Sequence, residues 1–468
     1  MKKEAFYISA AIDYPSGQPH IGHALEKIQA DVLARHKRTS GARVHFSLGT
    51  DEHGLKIQRR AEKERIKPQE FVDRMSRHFR KSWDDLNIQY DDFIRTSEKR
   101  HIDVVQEIIQ QIYKSGDIYK GHYKGLYCVD CESFYLPRDL IDNKCPIHKK
   151  LLEKIEEETY FFKLKKYKDD LLNYFKNNPD FVIPQSRSKE IVNRLKDLED
   201  LSISRKSVGW GVPLPFDTDF TLFVWVDALI NYLSTLGYPG NNFKKFWPAD
   251  IHAIGKDILW HHTVIWGALL LSLELDLPKR IFVHGYITAE GQKMSKSLGN
   301  VVNPNKLVKK YGTDPVRYFF LREISPFEDG DFSYERFEER YNDDLAKGLG
   351  NLVSRVLKLS ECVEPKFENK ELEEKIKEVK KEVFKSLDNF KFSEALKAIW
   401  ELIGFCDKYI EKEKPWEDTK NKLSVISNLL ATLLEIADLL KPFLPETSEK
   451  IIKQVENRKT EALFPRLN

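Results

Sequence analysis

His20-Ile21-Gly22-His23 lies near the start of this chain, and Lys293-Met294-Ser295-Lys296-Ser297 lies far downstream. Their settings constrain the fold more than any other feature. Ala5-Phe6-Tyr7-Ile8-Ser9-Ala10-Ala11-Ile12 reads as a short buried strand that stops at the turn chemistry of Asp13-Tyr14-Pro15-Ser16-Gly17. From His20 the period changes. Ile21, Leu25, Ile28 and Val32 recur at the spacing of one buried helix face. His20 and His23 therefore fall at a helix N-terminus, where unpaired backbone N–H groups attract anions. Gly22 carries no side chain to block a ligand approaching the backbone. Two histidines that merely cap a helix would give the same pattern. No Gly-x-Gly-x-x-Gly follows the strand, which disfavours a nicotinamide dinucleotide site.

The downstream cluster has a similar setting. Arg280 to Gly285 reads as a strand, and Glu290-Gly291-Gln292 as a turn. Lys293 and Lys296 then bracket a serine in a segment without apolar periodicity. A loop of this kind can bring ammonium groups to phosphate charge as it builds in a transition state. A solvated basic loop is the bland alternative.

In order and sequence the two clusters resemble the HIGH and KMSKS signatures of class I aminoacyl-tRNA synthetases. From Phe6 to about Leu467 the chain resembles the methionyl-tRNA synthetases. The resemblance implies a Rossmann-like α/β catalytic domain split by a zinc-knuckle insertion, followed by an α-helical bundle that binds the anticodon. The expected boundaries are 1–114 and 209–290 for the catalytic halves and 115–208 for the insertion. The lysine loop and stem-contact region would span 291–344, and the helical domain 345–468.

A metal site is legible from spacing. Cys128-x2-Cys131, then Cys145-Pro146-Ile147-His148, gives two short turns with two ligands each, as tetrahedral zinc requires. Four ligands leave no open position, so one structural Zn²⁺ is expected. The relatives for leucine, isoleucine and valine carry a much larger editing domain at this place. The cysteine-specific relative needs thiolates beside its pocket, and none stands before Cys128 or between Cys145 and Cys362.

Five cysteines, three of them in one cluster, argue for a reducing compartment and against a disulfide framework. A cytoplasmic location is expected. The chain of 468 residues, 41% hydrophobic and 32% charged, has room for two or three domains. A net charge of +3 is too small to argue for nucleic acid, so any RNA surface must be local. No apolar run is expected to span a membrane. The longest candidate, Thr263 to Leu273, reads as a buried helix.

The chemistry implied by the resemblance needs no enzyme nucleophile. His20, Gly22 and His23 would hold ATP, and Lys296, assisted by Lys293, would stabilise charge passing to pyrophosphate. Mg²⁺ would accompany ATP. Gly255 would admit the adenosine and Asp257 would bind the ribose hydroxyls, although Asp257 could equally be a helix N-terminal charge. Arg205 matches a family arginine near the lysine loop. Asp51, at the end of a strand from Arg43 to Leu48, would hold the methionine ammonium, or else cap a turn. Ile12, Tyr14, Trp225, Ala228, Leu229, Tyr232, Ile258 and His262 would line the methionine pocket. Leu229 and Asp13 stand where some members have proline.

Beyond Asn300 the pattern is helical. Leu372, Ile376, Val379, Val383 and Leu387 form one stripe, Leu396, Ile399, Ile403, Cys406 and Ile410 a second, and Val425 to Leu440 a third. By resemblance Asn351, Arg355 and Trp416 read the anticodon of tRNA(Met), with Trp416 stacking on a base. Packing is the alternative role for Trp416. Some relatives carry a further tRNA-binding and dimerising domain. A monomer is expected, and a separate tRNA-binding protein acting in trans is a partner to consider. Another class I synthetase, or an RNA-binding module without catalysis, are the competing readings.

Overall fold

The computed structural model describes residues 4–130, 133–135, 140–146, 149–294, 299–360, 363–417 and 421–467. The chain forms two compact units. One comprises Met1–Pro19, Gly41–Lys81 and Tyr90–Val283, and the other His20–Ser40, Ser82–Gln89 and His284–Asn468.

The first unit is built on a six-stranded sheet. Its order is Asp92–Arg95, Arg43–Thr50, Ala5–Ala10, Ile251–Gly255, Ile281–His284 and Val182–Ile183. Ala5–Ala10 pairs in parallel with both of its neighbours, Ile8 opposite Ile251 on one side and Ile8 opposite Phe46 on the other. Strands covered on both faces read as continuous apolar runs, and Phe6 to Ala10 are all buried. Strand order reverses at Ala5–Ala10, so the crevice at the carboxyl ends of Ala5–Ala10 and Ile251–Gly255 is the place such a sheet offers a ligand. Ala5–Ala10 is shorter than the expected strand to Ile12, because Asp13 leaves the ladder to bridge Thr50.

A four-stranded antiparallel sheet interrupts this layer. Ile118–Cys128 pairs along its length with Glu153–Phe162, and Ser133–Tyr135 and Leu201–Ser202 complete it. Ile118 and Phe162 at its base share one core with Val182, Tyr232, Ile254 and Trp266.

The second unit is mostly helical. Ile21–Thr39 is followed in the chain by Pro304–Tyr311, Thr313–Glu323 and a bundle of Lys370–Asp388, Phe392–Glu413, Lys422–Leu440 and Pro445–Asn457. All three expected apolar stripes are buried. Lys422–Leu440 corrects the membrane argument. Among the described residues it, not the Thr263 segment, is the helix long and apolar enough to cross a bilayer by length and composition, and most of it is buried in the protein. Arg317 is fully buried here. Its guanidinium donates to Asp31 Oδ2 at 2.7 Å and to the carbonyls of Leu86, Pro442 and Phe443. The fork geometry of arginine lets one side chain satisfy three segments at once.

One expected helix is broken. The stretch after Gly255 is a 3-10 turn at Lys256–Ile258, a π-helical segment at His261–Ile265 and an α-helix at Trp266–Ser272. A π segment inserts an extra residue per turn and re-aims the side chains it carries, here His261 and His262.

Candidate active site and RNA-facing residues

His20 is the N-cap of Ile21–Thr39, so the capping alternative describes its geometry correctly. Its Nδ1 accepts from the Gly22 N–H at 3.1 Å, and His23 Nδ1 accepts from the His20 N–H at 3.2 Å. The rings stack at 3.8 Å. Capping does not exclude phosphate binding. With Nδ1 accepting, a neutral imidazole carries its proton on Nε2. Burial, then the neighbouring His20, Lys27 and His284, hold His23 well below the ordinary histidine range. A Cβ at Gly22 would lie 3.0 Å from the His20 ring, so glycine leaves room for the cap itself. Lys293 is exposed, with its carbonyl accepting from Asn300. Lys296 lies outside the described residues.

In the other unit, Asp51 follows Arg43–Thr50 and is 4% exposed. Its N–H donates to the Asp13 carbonyl at 2.8 Å, and Asp13 N–H donates to Gly49 at 2.8 Å, so the two strand ends are laced together. Glycine is required at 49, where a Cβ would sit 1.8 Å from the Ile94 carbonyl oxygen. Tyr14 donates its hydroxyl to the His53 carbonyl at 3.2 Å. Trp225, Ala228 and Leu229 lie on the short helix Val224–Leu229, and Tyr232 begins the next turn. Tyr232 is 1% exposed, its hydroxyl 2.7 Å from His262 Nε2, whose Nδ1 lies 2.9 Å from the Ile258 carbonyl. Since that carbonyl can only accept, Nδ1 bears the proton and Nε2 accepts from Tyr232. Ile258, Tyr232 and His262 are thus one hydrogen-bonded unit. Leu229 is core, at 2% exposure, while Ile12 is half-buried. Gly255 is buried at the end of Ile251–Gly255, and Asp257 is exposed in the turn beyond it. Arg205 is buried with its guanidinium 4.6 Å from the Phe223 ring and 5.3 Å from the Tyr127 ring.

Of the metal ligands, Cys131 and His148 lie outside the described residues. Cys128 and Cys145 are buried and in no disulfide. Cys128 ends its strand opposite Ser133. The Cys145 N–H donates to the Lys150 carbonyl, and the Lys149 N–H donates to the Cys145 carbonyl. Lys150 Nζ meets Asp130 at 2.6 Å, tying one turn to the other. Two buried thiols on two linked turns fit a thiolate-rich zinc site.

Asn351 and Arg355 lie on one face of Asn351–Leu359. Arg355 pairs with Glu411 at 2.6 Å and Asp407 at 3.3 Å. Trp416 is 48% exposed, which removes core packing as its reason for being there.

Family models match the chain in two places. "tRNA synthetases class I (M)" covers residues 6–154 and 135–357, and "Anticodon-binding domain of tRNA ligase" covers 369–466. The methionine–tRNA ligase of Caldanaerobacter subterraneus subsp. tengcongensis is 44% identical over 97% of this chain and 74% of its own length. The chain belongs to the class I methionyl-tRNA synthetases. The Thermotoga maritima methionine–tRNA ligase is 43% identical over 96% of this synthetase and 75% of its own length. The Mycobacterium tuberculosis methionyl-tRNA synthetase in complex with methionyl-adenylate superposes with a TM-score of 0.92 at 36% identity, covering 99% of both chains. Its free-state structure superposes with a TM-score of 0.84 at 33% identity, covering 100% of this synthetase and 99% of that chain.

Several residues of the synthetase escaped sequence reasoning. His53 and Asp227 sit inside the segments that carry Asp51 and Trp225, yet nothing in their spacing marks them as bonded at 2.7 Å. His101, which reaches the same carboxylate, carries no sequence signal at all. His261 stacks on Trp225 at 4.2 Å, a contact created by the π segment.

Proposed function

We propose that this chain activates methionine with ATP and transfers it to tRNA(Met), with the residues named above in the roles that follow. A methionine carboxylate oxygen bonds to the α-phosphorus of ATP. The bond from that phosphorus to the bridging oxygen breaks, and pyrophosphate leaves with the electron pair. A terminal ribose hydroxyl of tRNA then attacks the acyl carbon, and AMP departs. Both nucleophiles come from substrates, so the enzyme contributes positioning and charge.

The observation that carries the reading is the polar lining around Tyr232. A buried carboxylate at a strand end, Asp51, suits an ammonium. A tyrosine hydroxyl held by a neutral imidazole, Tyr232 and His262, adds fixed dipoles to an otherwise apolar and aromatic lining. That combination suits a zwitterion with a polarisable thioether. His20 and His23 hold the ATP phosphates, and Lys293 and Lys296 meet the charge developing on pyrophosphate. Mg²⁺ enters with ATP as part of that substrate. Gly255 and Asp257 take the adenosine.

Residues 1–114 and 209–290 act as the catalytic domain, 115–208 as the insertion, 291–344 as the loop and stem-contact region, and 345–468 as the anticodon reader. One structural Zn²⁺ on Cys128, Cys131, Cys145 and His148 clamps the two insertion turns. Asn351, Arg355 and Trp416 read the anticodon. The enzyme works as a cytoplasmic monomer.

ATP–pyrophosphate exchange with a panel of amino acids tests the reading. Methionine alone is expected to support rapid exchange. Equal exchange with leucine, isoleucine or cysteine overturns the pocket assignment, and no exchange with any of them favours an RNA-binding role.

A further inference from the structure

We propose that His101 is a positioning residue for the methionine site: through Asp227 it fixes His53, and with His53 the loop that carries Asp51. The proposal rests on Asp51 as the ammonium partner.

Asp227 is fully buried and spends both carboxylate oxygens on imidazoles. His53 Nδ1 donates to Oδ2 at 2.7 Å, and His101 Nε2 donates to Oδ1 at 3.0 Å. His101 is itself fully buried, and its Nδ1 lies 2.8 Å from the Ser234 hydroxyl. These residues come from separate elements. His101 is on the helix Lys99–Lys114. Asp227 shares Val224–Leu229 with Trp225 and Ala228, and Ser234 shares Asn231–Ser234 with Tyr232. Both ring nitrogens of one remote histidine therefore end on the two short helices that line the pocket.

The loop on the other side of Asp227 is pinned by different groups. Trp210 Nε1 donates to the Glu52 carbonyl at 2.6 Å, and the Gly54 N–H donates to the Trp210 carbonyl at 3.1 Å. The backbone on either side of His53 is thus held by Trp210, while its side chain is held by Asp227. His53 is two residues beyond Asp51, and its carbonyl accepts the Tyr14 hydroxyl. Removing His101 leaves a buried carboxylate with one imidazole donor where it had two. An under-satisfied buried carboxylate shifts to recover a donor, and a shift at Asp227 moves His53 and Trp225 together. A histidine that only fills space would need one partner of any kind. This one bridges two elements of the pocket and lines neither.

Exchange kinetics with methionine and ATP varied separately, together with thermal melting, test the idea on the full chain. In His101→Leu the methionine KM is expected to rise about tenfold, with kcat and the ATP KM changing less than about twofold. His101→Gln, whose amide still reaches Asp227, restores most of the methionine KM. His101→Asn is too short to span both partners and behaves like the leucine variant, which keeps the test available if leucine prevents folding. The double variant His101→Leu/Asp227→Asn is expected to be no worse than Asp227→Asn alone, since both act through one carboxylate. Equal changes in both KM values and kcat, tracking a lower Tm, overturn the proposal, as does an unchanged methionine KM. If Asp51→Ala leaves the methionine KM unaltered while His101→Leu raises it, the Asp51 assignment fails and the coupling through Asp227 stands.

Discussion

Tyr232 is 1% exposed and Trp416 is 48% exposed, though both are aromatic residues assigned to ligand binding. Around Tyr232 several polar groups already bond within the protein: the hydroxyl to His262, His262 to Ile258, His53 and His101 to Asp227. On the helical side, Arg355 is occupied by Glu411 and Asp407, and Asn351 stands in solvent. The first region is set before its ligand arrives. In the proposed reading, the second exchanges its ion pairs for RNA. A small zwitterion offers few contacts, so its site must avoid ordering costs; an anticodon loop offers many and can offset such an exchange.

The largest expected effects fall in the pocket half of that contrast. Asp51→Ala leaves an ammonium without its charged partner, a loss of the order of 2–5 kcal/mol for a desolvated pair. The methionine KM is expected to rise about a hundredfold or more in exchange assays, with the ATP KM little changed. Lys296→Ala is expected to do the opposite: adenylate formation slows about 10²–10³-fold while methionine binding by equilibrium titration is retained, because its charge acts mainly in the transition state. If both variants weaken methionine binding equally, the division of roles is wrong.

Trp416→Ala probes the exposed half. Base stacking contributes about 1–3 kcal/mol, roughly tenfold to hundredfold in affinity. Aminoacylation of tRNA with a CAU anticodon is expected to fall by that factor, with tRNA-free exchange unchanged. Parallel loss in both assays would return Trp416 to a structural role, against its 48% exposure.

A third test separates the insertion from the pocket. Chelation, or Cys131→Ser, is expected to open the turns around Cys128 and Cys145 to protease while exchange activity persists, since the two turns are cross-tied by Lys150 and Asp130 at the far end of the Ile118–Cys128 strand. Metal analysis of chelator-free protein should return one zinc per chain. A return of none removes the metal from the reading.

These regions also differ in what the sequence reveals. The helical stripes were legible to the residue, because burial of Leu372 through Leu387 follows directly from a 3.6-residue period. The strand before Asp51 was legible from Arg43 onward, and it runs on to Thr50 rather than stopping at Leu48. His101 was not, since a single histidine on an amphipathic helix has no pattern, and its partners stand more than a hundred residues away. Arg317 lay in plain sight, but arginine is rarely buried, and only the meeting of three segments makes its burial tolerable. The π segment was hidden for another reason. Apolar periodicity through Thr263 to Leu273 reads as an α-helix whether or not one turn is widened.

The smallest expected effect tests whether the pocket is held by neutral imidazoles. His252 is fully buried, with Nδ1 2.7 Å from Ser9 and its ring stacked on Tyr232 at 4.0 Å. Burial, and then His262 beside it, hold it well below the ordinary histidine range. The unfolded chain takes up a proton at this residue as pH falls through about 6.5, while the folded one does not. Its contribution to stability is therefore complete above that pH and is lost progressively below it. One pH unit in this window is worth about 1.4 kcal/mol, or roughly 2–4 °C in Tm for a domain of this size. His252→Asn can still bond to Ser9 but does not titrate. Between about pH 7.5 and pH 5.5 the parent is expected to lose about 2–4 °C more than the variant. The variant should melt below the parent at the higher pH, because the Tyr232 stacking is weakened, and the gap should narrow as the pH falls. A gap that stays constant would mean that His252 is protonated in the folded protein. The stacked Tyr232 would then face a cation, and the pocket would not be the neutral, preset site that distinguishes it from the surface around Trp416.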